Sequence, residues 1–287
     1  MSKRWILFLY PLLFMGCSIA MVKPLPDKKI TDETDRPKLQ YAIAGEGRPV
    51  IVFLSGYGVD MDTSWSKVYS KAEKISSVFA YNRLGYGDSD KAKEPQTGAA
   101  IVDALHNLLR KRGLNPPYVL VGHSLGGLYA NLFARTYPQE IAGVVLVDSA
   151  HPAQQEMMHA REGVVQQVVM GILNTLDSAL HSRHSEISSF DVTAEQIRQA
   201  GPFPAIPLIV ISAAQQPPSW LVRSEVLQGL REDQRSLAAM SPQGRQIIAE
   251  KSGHFVQNDE PGIVIQAIRD VVDRSRKTEA EELNFVR

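Results

Sequence analysis

The chain reads as an α/β protein built on a doubly wound, mostly parallel sheet, and three observations lead there. Short apolar runs rich in β-branched residues alternate with segments of helical spacing along most of its length. The runs carry no polar alternation, as expected of strands covered on both faces. Glycine clusters follow the strands, at Ser55-Gly56-Tyr57-Gly58 and again at Leu84-Gly85-Tyr86-Gly87. In such sheets ligands bind outside the carboxyl ends of the strands, so these clusters mark one functional edge.

In chain order, Leu39–Ala44 alternates like a half-buried strand and stops at the turn cluster 45–49. Val50–Leu54 is a continuous apolar strand, Trp65–Ile75 has helical spacing, and Ser77–Tyr81 is another short strand. Residues 98–112 line up Ile101, Val102, Leu105, Leu108 and Leu109 on one helical stripe, which Gly113 and Asn115-Pro116-Pro117 end. Tyr118–Val121 and Val144–Val147 read as buried strands flanking a helix from Leu125 to about Tyr137. The strand signal then disappears until Pro207–Ile211, returns around Gln246–Glu250, and a last helix covers Pro261–Arg274.

Residues 39–149 and 205–274 thus form the core, and 150–204 is a helical insertion, a candidate cap or lid. Its Met157, Val164, Val165, Val168 and Val169 recur at helical spacing and suit packing on the core better than contact with lipid. Residues 275–287 form a charged tail expected to fray.

The first 22 residues differ from the rest. Lys3 and Arg4 precede an apolar run from Trp5 to Ala20, too short for the roughly 20 residues of a spanning helix but suited to an export signal. The only cysteine, Cys17, closes it behind Gly16. The arrangement resembles a bacterial lipoprotein signal in which Cys17 is lipidated, although Phe14 stands where Leu is usual. A plain signal peptide and an uncleaved anchor are the alternatives. The signal exports the domain, to a membrane tether in the cell envelope rather than to free secretion, and a domain without further cysteines tolerates an oxidising compartment. Polar residues 23–38 then read as a tether.

Charge is balanced at 31 basic against 31 acidic residues, so no net field draws nucleic acid. The seven histidines show no metal-ligand spacing, and neither a metal nor a cofactor is expected. Oligomeric state is not readable.

The most informative stretch is Val119-Leu120-Val121-Gly122-His123-Ser124-Leu125-Gly126-Gly127, a strand, a Gly-x-Ser-x-Gly turn and a helix start. That context makes the turn a nucleophile elbow with Ser124 exposed on a strained corner. A serine hydroxyl needs a base, and His254 in Ser252-Gly253-His254-Phe255, after the last strand, is the best placed. His123 adjoins the serine but points away from it and is read as structural. His151, His159, His181 and His184 fall in the insertion or its hinge and are read as solvated.

Four segments in order carry a resemblance to the serine hydrolases of the α/β-hydrolase superfamily: Ser55–Gly58, Arg83–Ser89, Gly122–Gly127 and Ser252–Phe255. The resemblance spans about Leu39 to Arg274. It implies an esterase- or lipase-like activity on a small acyl substrate through a Ser-His-acid triad.

Two departures stand out. The loop after Pro207–Ile211, where such enzymes most often keep the acid, reads Ser212-Ala213-Ala214-Gln215-Gln216 and has no carboxylate. The acid then falls to Asp148, at the end of the preceding strand, with Glu225 and Asp233 as fallbacks. Asp88 precedes the serine and is read as shaping its own loop. The resemblance also places oxyanion donors at the backbone N–H groups of Leu125 and Tyr57, with Ser55-Gly56 where His-Gly is usual. Cleavage of amide, lactone or carbon–carbon bonds, and a non-catalytic ligand receptor, remain as other uses of the same scaffold.

Overall fold

A computed structural model describes residues 23–31, 37–154, 186–215 and 224–285. Eight strands form one sheet: β1 (Lys29–Ile30), β2 (Gln40–Ala44), β3 (Val50–Leu54), β4 (Val78–Tyr81), β5 (Tyr118–His123), β6 (Ile141–Val147), β7 (Leu208–Ala213) and β8 (Gly244–Ala249). Their order is β1-β2-β4-β3-β5-β6-β7-β8. β1 and β2 pair antiparallel, as do β2 and β4, and every pairing from β4 to β8 is parallel.

The period-2 geometry of a strand sends alternate side chains to opposite faces. On one face Val50, Val52, Leu54, Leu120, Val144, Leu146, Leu208 and Val210 share a core with α2 (Gly98–Lys111), α3 (Leu125–Thr136) and α4 (Phe190–Gln199). On the other, Ile51, Phe53, Val119, Val121, Val145, Val147, Ile209 and Ile211 pack on α1 (Met61–Ala72) and α7 (Pro261–Phe285). Both faces are apolar because both are covered, which is why the sequence shows unbroken apolar runs.

Helix starts follow local chemistry. Asp60 caps α1 by accepting from Thr63 N at 2.8 Å, and Thr97 caps α2 by accepting from Ala100 N at 3.3 Å. Ser124, the N-cap of α3, makes no such side-chain bond. Its hydroxyl is withheld from the helix it begins. α5 (Ser224–Ala238) covers β7 and β8, and the short α6 (Val256–Asp259) follows β8.

The structure corrects two readings. Part of the expected tether is ordered structure: β1 pairs with β2, Leu25 is buried against α1, and its N–H donates to Asp62 Oδ1 at 2.7 Å. One large apolar side chain and an antiparallel partner suffice to dock this short polar segment. The charged tail is likewise helical, since α7 runs on to Phe285. After Gly262 no glycine or proline interrupts it. Arg276 Nε donates to Arg48 O and its Nη2 to Ile75 O, each at 2.9 Å, tying this extension to the body.

Of the insertion, residues 155–185 lie outside the described residues, including His159, His181, His184 and the Met/Val stripe. The rest holds α4, which binds the start of α2: Thr193 Oγ1 accepts from Gly98 N at 2.8 Å and Gln196 Oε1 from Ala99 N at 2.9 Å. Cys17 also lies outside the described residues, and none of the described helices is long and apolar enough to cross a membrane.

Candidate active site

Ser124 stands at the sharp corner between β5 and α3 with φ 50° and ψ −122°. A non-glycine residue at positive φ costs about 1–3 kcal/mol and persists only where its surroundings enforce it. Two glycines do so. A Cβ on Gly122 would lie 2.7 Å from Gly126 O, and one on Gly126 would lie 2.3 Å from Leu54 O. The absence of both side chains lets α3 start directly against the end of β3. The backbone N–H groups at the start of α3 and the Ser55–Gly58 loop therefore share one corner. Gly56 completes the approach, since a Cβ there would fall 3.2 Å from Ser124 Cβ.

Asp148 follows β6, the neighbour of β5, and is also at positive φ, 39°. Its backbone N–H donates to Ile211 O at 2.7 Å. This turns the carboxylate across the end of β7, where Ala213 N donates to Oδ1 at 3.0 Å. Oδ2 then accepts from His254 Nδ1 at 2.6 Å. The carboxyl end of β7, where the sequence offers no carboxylate, thus contributes a backbone donor to Asp148. Burial alone would raise the Asp148 pKa, but the hydrogen bond and charge of His254 outweigh it, aided by Ala213 N–H. The carboxyl is held below its ordinary value.

His254 sits on a loop knitted by two acids. Glu260 Oε2 accepts from Lys251 N at 2.8 Å and from Ser252 Oγ at 2.6 Å, while Asp259 Oδ2 accepts from Gly253 N at 3.1 Å. His123, the residue before the serine, is fully enclosed beneath it. Its Nε2 donates to His254 O at 2.9 Å, and the two rings are 4.7 Å apart. Burial, followed by repulsion from His254, pushes the His123 pKa down to about 3, so its ring is neutral. The structural reading of His123 holds, with a specific object: it carries the backbone of His254.

The fallback acids are engaged elsewhere or lie outside this cluster. Asp233 Oδ1 is 3.4 Å from His151 Nδ1, and Ser236 Oγ is 3.0 Å from His151 Nε2. His151 is therefore not simply solvated, as its hinge position suggested; Asp233 and Ser236 of α5 enclose it. Glu225 lies in the first turn of α5, exposed. Asp88 accepts from Gln40 Nε2 at 2.5 Å and so belongs to its own loop, as read.

Sequence reasoning missed one element of the site. Arg83, 3% exposed, donates from Nη1 to Ser55 O at 2.7 Å and from Nη2 to Gly56 O at 3.0 Å. Its remaining donors grip Glu186, Nη2 to Oε2 at 2.9 Å and Nε to Oε1. The arginine was quoted only as part of a motif, and Glu186 stands in a polar run that gives no sign of burial. Among the described residues, no group of three or more His, Cys, Asp or Glu side chains could hold a metal ion.

Comparison with known proteins agrees with this architecture. Residues 49–168 match the family model described as alpha/beta hydrolase fold. The uncharacterized protein YqjL of Bacillus subtilis is 28% identical over 238 residues, covering 79% of this chain and 85% of that protein. The chain spans less of other curated relatives, such as 45% of the uncharacterized protein YbdG of the same organism. Among solved structures, mouse alpha/beta hydrolase domain-containing protein 10 superposes with a TM-score of 0.64 at 19% identity. The match covers 86% of this chain and 98% of that one. A thermophilic esterase from Thermogutta terrifontis superposes with a TM-score of 0.58 at 21% identity, covering 86% and 98%. With its eight-stranded, mostly parallel sheet and the matched family model, the chain has the α/β-hydrolase fold.

Proposed function

We propose that this chain is an exported serine hydrolase that cleaves an ester or related acyl bond of a small substrate through Ser124, His254 and Asp148. The observation that carries this reading is the 2.6 Å bond from His254 Nδ1 to Asp148 Oδ2. A proton fixed on Nδ1 leaves Nε2 as the basic nitrogen, the tautomer a general base requires. Support also comes from the strained backbone of Ser124, whose side chain makes no helix cap.

In this reading Nε2 of His254 takes the Ser124 proton as Oγ attacks the acyl carbon. Asp148 stabilises the imidazolium, and the backbone N–H groups of Tyr57 and Leu125 receive the oxyanion. The imidazolium returns its proton to the leaving alkoxide, which leaves an acyl-enzyme. Water, deprotonated by His254, then attacks the acyl carbon; the acid departs and Ser124 regains its proton. The Thermogutta esterase, which shares this fold, is consistent with ester chemistry.

The test is a series of p-nitrophenyl esters of increasing acyl length, run on wild type and on Ser124→Ala. Hydrolysis by wild type and loss of it in the variant are expected. A folded wild type inert to every ester and to a fluorophosphonate would contradict the proposal and favour a ligand receptor. For the envelope tether, Cys17→Ser should release the protein from membranes, and unchanged retention would point to an uncleaved anchor.

A further inference from the structure

We infer that Arg83 and Glu186 are positioning residues for the oxyanion hole, acting through the peptide groups of the Ser55–Gly58 loop. The inference rests on the hydrolase reading above and adds to it a device that involves the insertion between β6 and β7, because Glu186 belongs to that insertion.

The geometry concerns three consecutive peptide groups. In a trans peptide the C=O and the following N–H point in opposite directions. Arg83 Nη1 holds Ser55 O at 2.7 Å, and Nη2 holds Gly56 O at 3.0 Å. Fixing Gly56 O on the arginine side turns the N–H of the same peptide, that of Tyr57, to the opposite side. The next peptide is fixed from its nitrogen: Gly58 N donates to Tyr86 Oη at 3.2 Å. Tyr86 Oη in turn donates to Glu186 Oε2 at 3.2 Å. Ser124 adjoins this loop, since a Cβ on Gly56 would fall 3.2 Å from Ser124 Cβ.

Glu186 is the residue that makes the clamp rigid. A guanidinium has a planar fork of donors, and a bidentate carboxylate on one edge fixes the direction of the others. The pair is buried, the side chains 2% and 3% exposed, and the Arg83 guanidinium lies 5.2 Å from the ring centroids of Tyr86 and Tyr129. Without Glu186 the arginine would be a buried, uncompensated cation free to change its hydrogen bonds. A developing oxyanion is stabilised only by donors already aimed at it. Loss of the clamp therefore weakens the transition state and leaves ground-state binding nearly unchanged.

The experiment measures kcat and KM for the best ester of the series in wild type, Glu186→Gln and Tyr86→Phe. It also measures Ki for a matched pair of inhibitors, a trifluoromethyl ketone that forms the charged hemiketal on the serine and its unreactive methyl carbinol. Glu186→Gln should lower kcat about 10- to 100-fold, less than or near the loss of one oxyanion donor, with KM within about twofold. The ketone Ki should rise by a similar factor and the carbinol Ki should not. Tyr86→Phe removes one hydroxyl from a folded scaffold and should show the same pattern at about 3- to 10-fold.

A purely structural defect reduces the active fraction and leaves the ratio of the two Ki values unmoved. An unchanged ratio in Tyr86→Phe, or a kcat in Glu186→Gln equal to or above wild type, would overturn the inference. If Glu186→Gln fails to fold, Tyr86→Phe decides alone. Wild type inert to the esters would overturn the hydrolase reading itself, and this inference with it.

Discussion

Among the described residues, two places bring a serine, a histidine and an aspartate near one another, and under the proposed function only one of them activates its serine. In the first, His254 Nδ1 meets Asp148 Oδ2 at 2.6 Å, and Ser124 occupies a strained corner between β5 and α3. In the second, Ser236 Oγ is 3.0 Å from His151 Nε2, with Asp233 3.4 Å from Nδ1. Residue types alone would admit both.

Proton placement separates them. His151 Nδ1 accepts from Ala153 N at 3.1 Å, so in the neutral ring the proton sits on Nε2 and points at Ser236. Ser236 sends its own proton to Asp233 O at 2.9 Å. The histidine is a donor to this serine and cannot act as its base. The carboxylates differ in the same sense. Burial raises the Asp233 pKa more than His151 lowers it, whereas the partners of Asp148 hold its pKa down. Which nitrogen carries the proton decides the histidine's role, and the Asp148 carboxylate sets it in the first cluster while the Ala153 N–H sets it in the second.

The largest expected effect comes from the two serines. Ser124→Ala should reduce ester turnover by about 10⁴- to 10⁶-fold, the cost of removing a nucleophile. Ser236→Ala should leave turnover within about twofold. Comparable losses in the two variants, read by steady-state hydrolysis, would erase the distinction.

A second contrast is steric. The first cluster depends on Gly122 and Gly126, two residues to either side of its serine, whereas Gln234 and Ala238 hold those positions about Ser236. Gly126→Ala would press a Cβ to 2.3 Å from Leu54 O and 2.5 Å from Ser55 O. It should cost about 1–3 kcal/mol in urea unfolding, as overpacking typically does, and depress turnover as the oxyanion loop shifts. An unchanged midpoint and rate would show that the corner yields.

The third contrast is in acid. His123 has a folded pKa of about 3 against an ordinary 6.5. Below pH 6.5 the unfolded chain binds this proton and the folded chain does not until near pH 3. Its contribution is therefore complete above pH 6.5 and is lost as pH falls through that window, by up to about 1.4 kcal/mol per pH unit. Burial lowers His151 too, Asp233 opposing, so it adds in the same direction. His123→Gln should flatten the stability profile between pH 6 and pH 4 more than His151→Gln does. Equal slopes for wild type and His123→Gln would remove this role.

The smallest effect is Ser236→Ala on stability, expected within about 1 kcal/mol by thermal unfolding, because the hydroxyl sits at the exposed end of its cluster.

The sheet was largely legible because strands covered on both faces must be apolar throughout: Val50–Leu54 and Val144–Val147 show it without ambiguity. The elbow was legible because only Gly122 and Gly126 allow the approach it requires. Asp148 could be reached by elimination, since the loop at Ser212-Ala213-Ala214 has no carboxylate. Other features depend on distant partners and leave no local trace. Arg83 and Glu186 are 103 positions apart, and a lone glutamate in a polar run looks solvated. β1 is two residues long and has no periodicity to read. The engagement of His151 rests on an α5 helix docked from far along the chain.

The most direct test is phosphonylation by a fluorophosphonate, the serine displacing fluoride, followed by peptide mapping, with second-order rate constants for wild type, Asp148→Asn and Asp233→Asn. The adduct should fall on Ser124. Asp148→Asn should slow phosphonylation by about 10⁴-fold, as loss of an orienting carboxylate does for turnover, and Asp233→Asn by no more than about twofold. An adduct on any other residue, or equal rates in the two asparagine variants, would contradict the assignment of Ser124, His254 and Asp148.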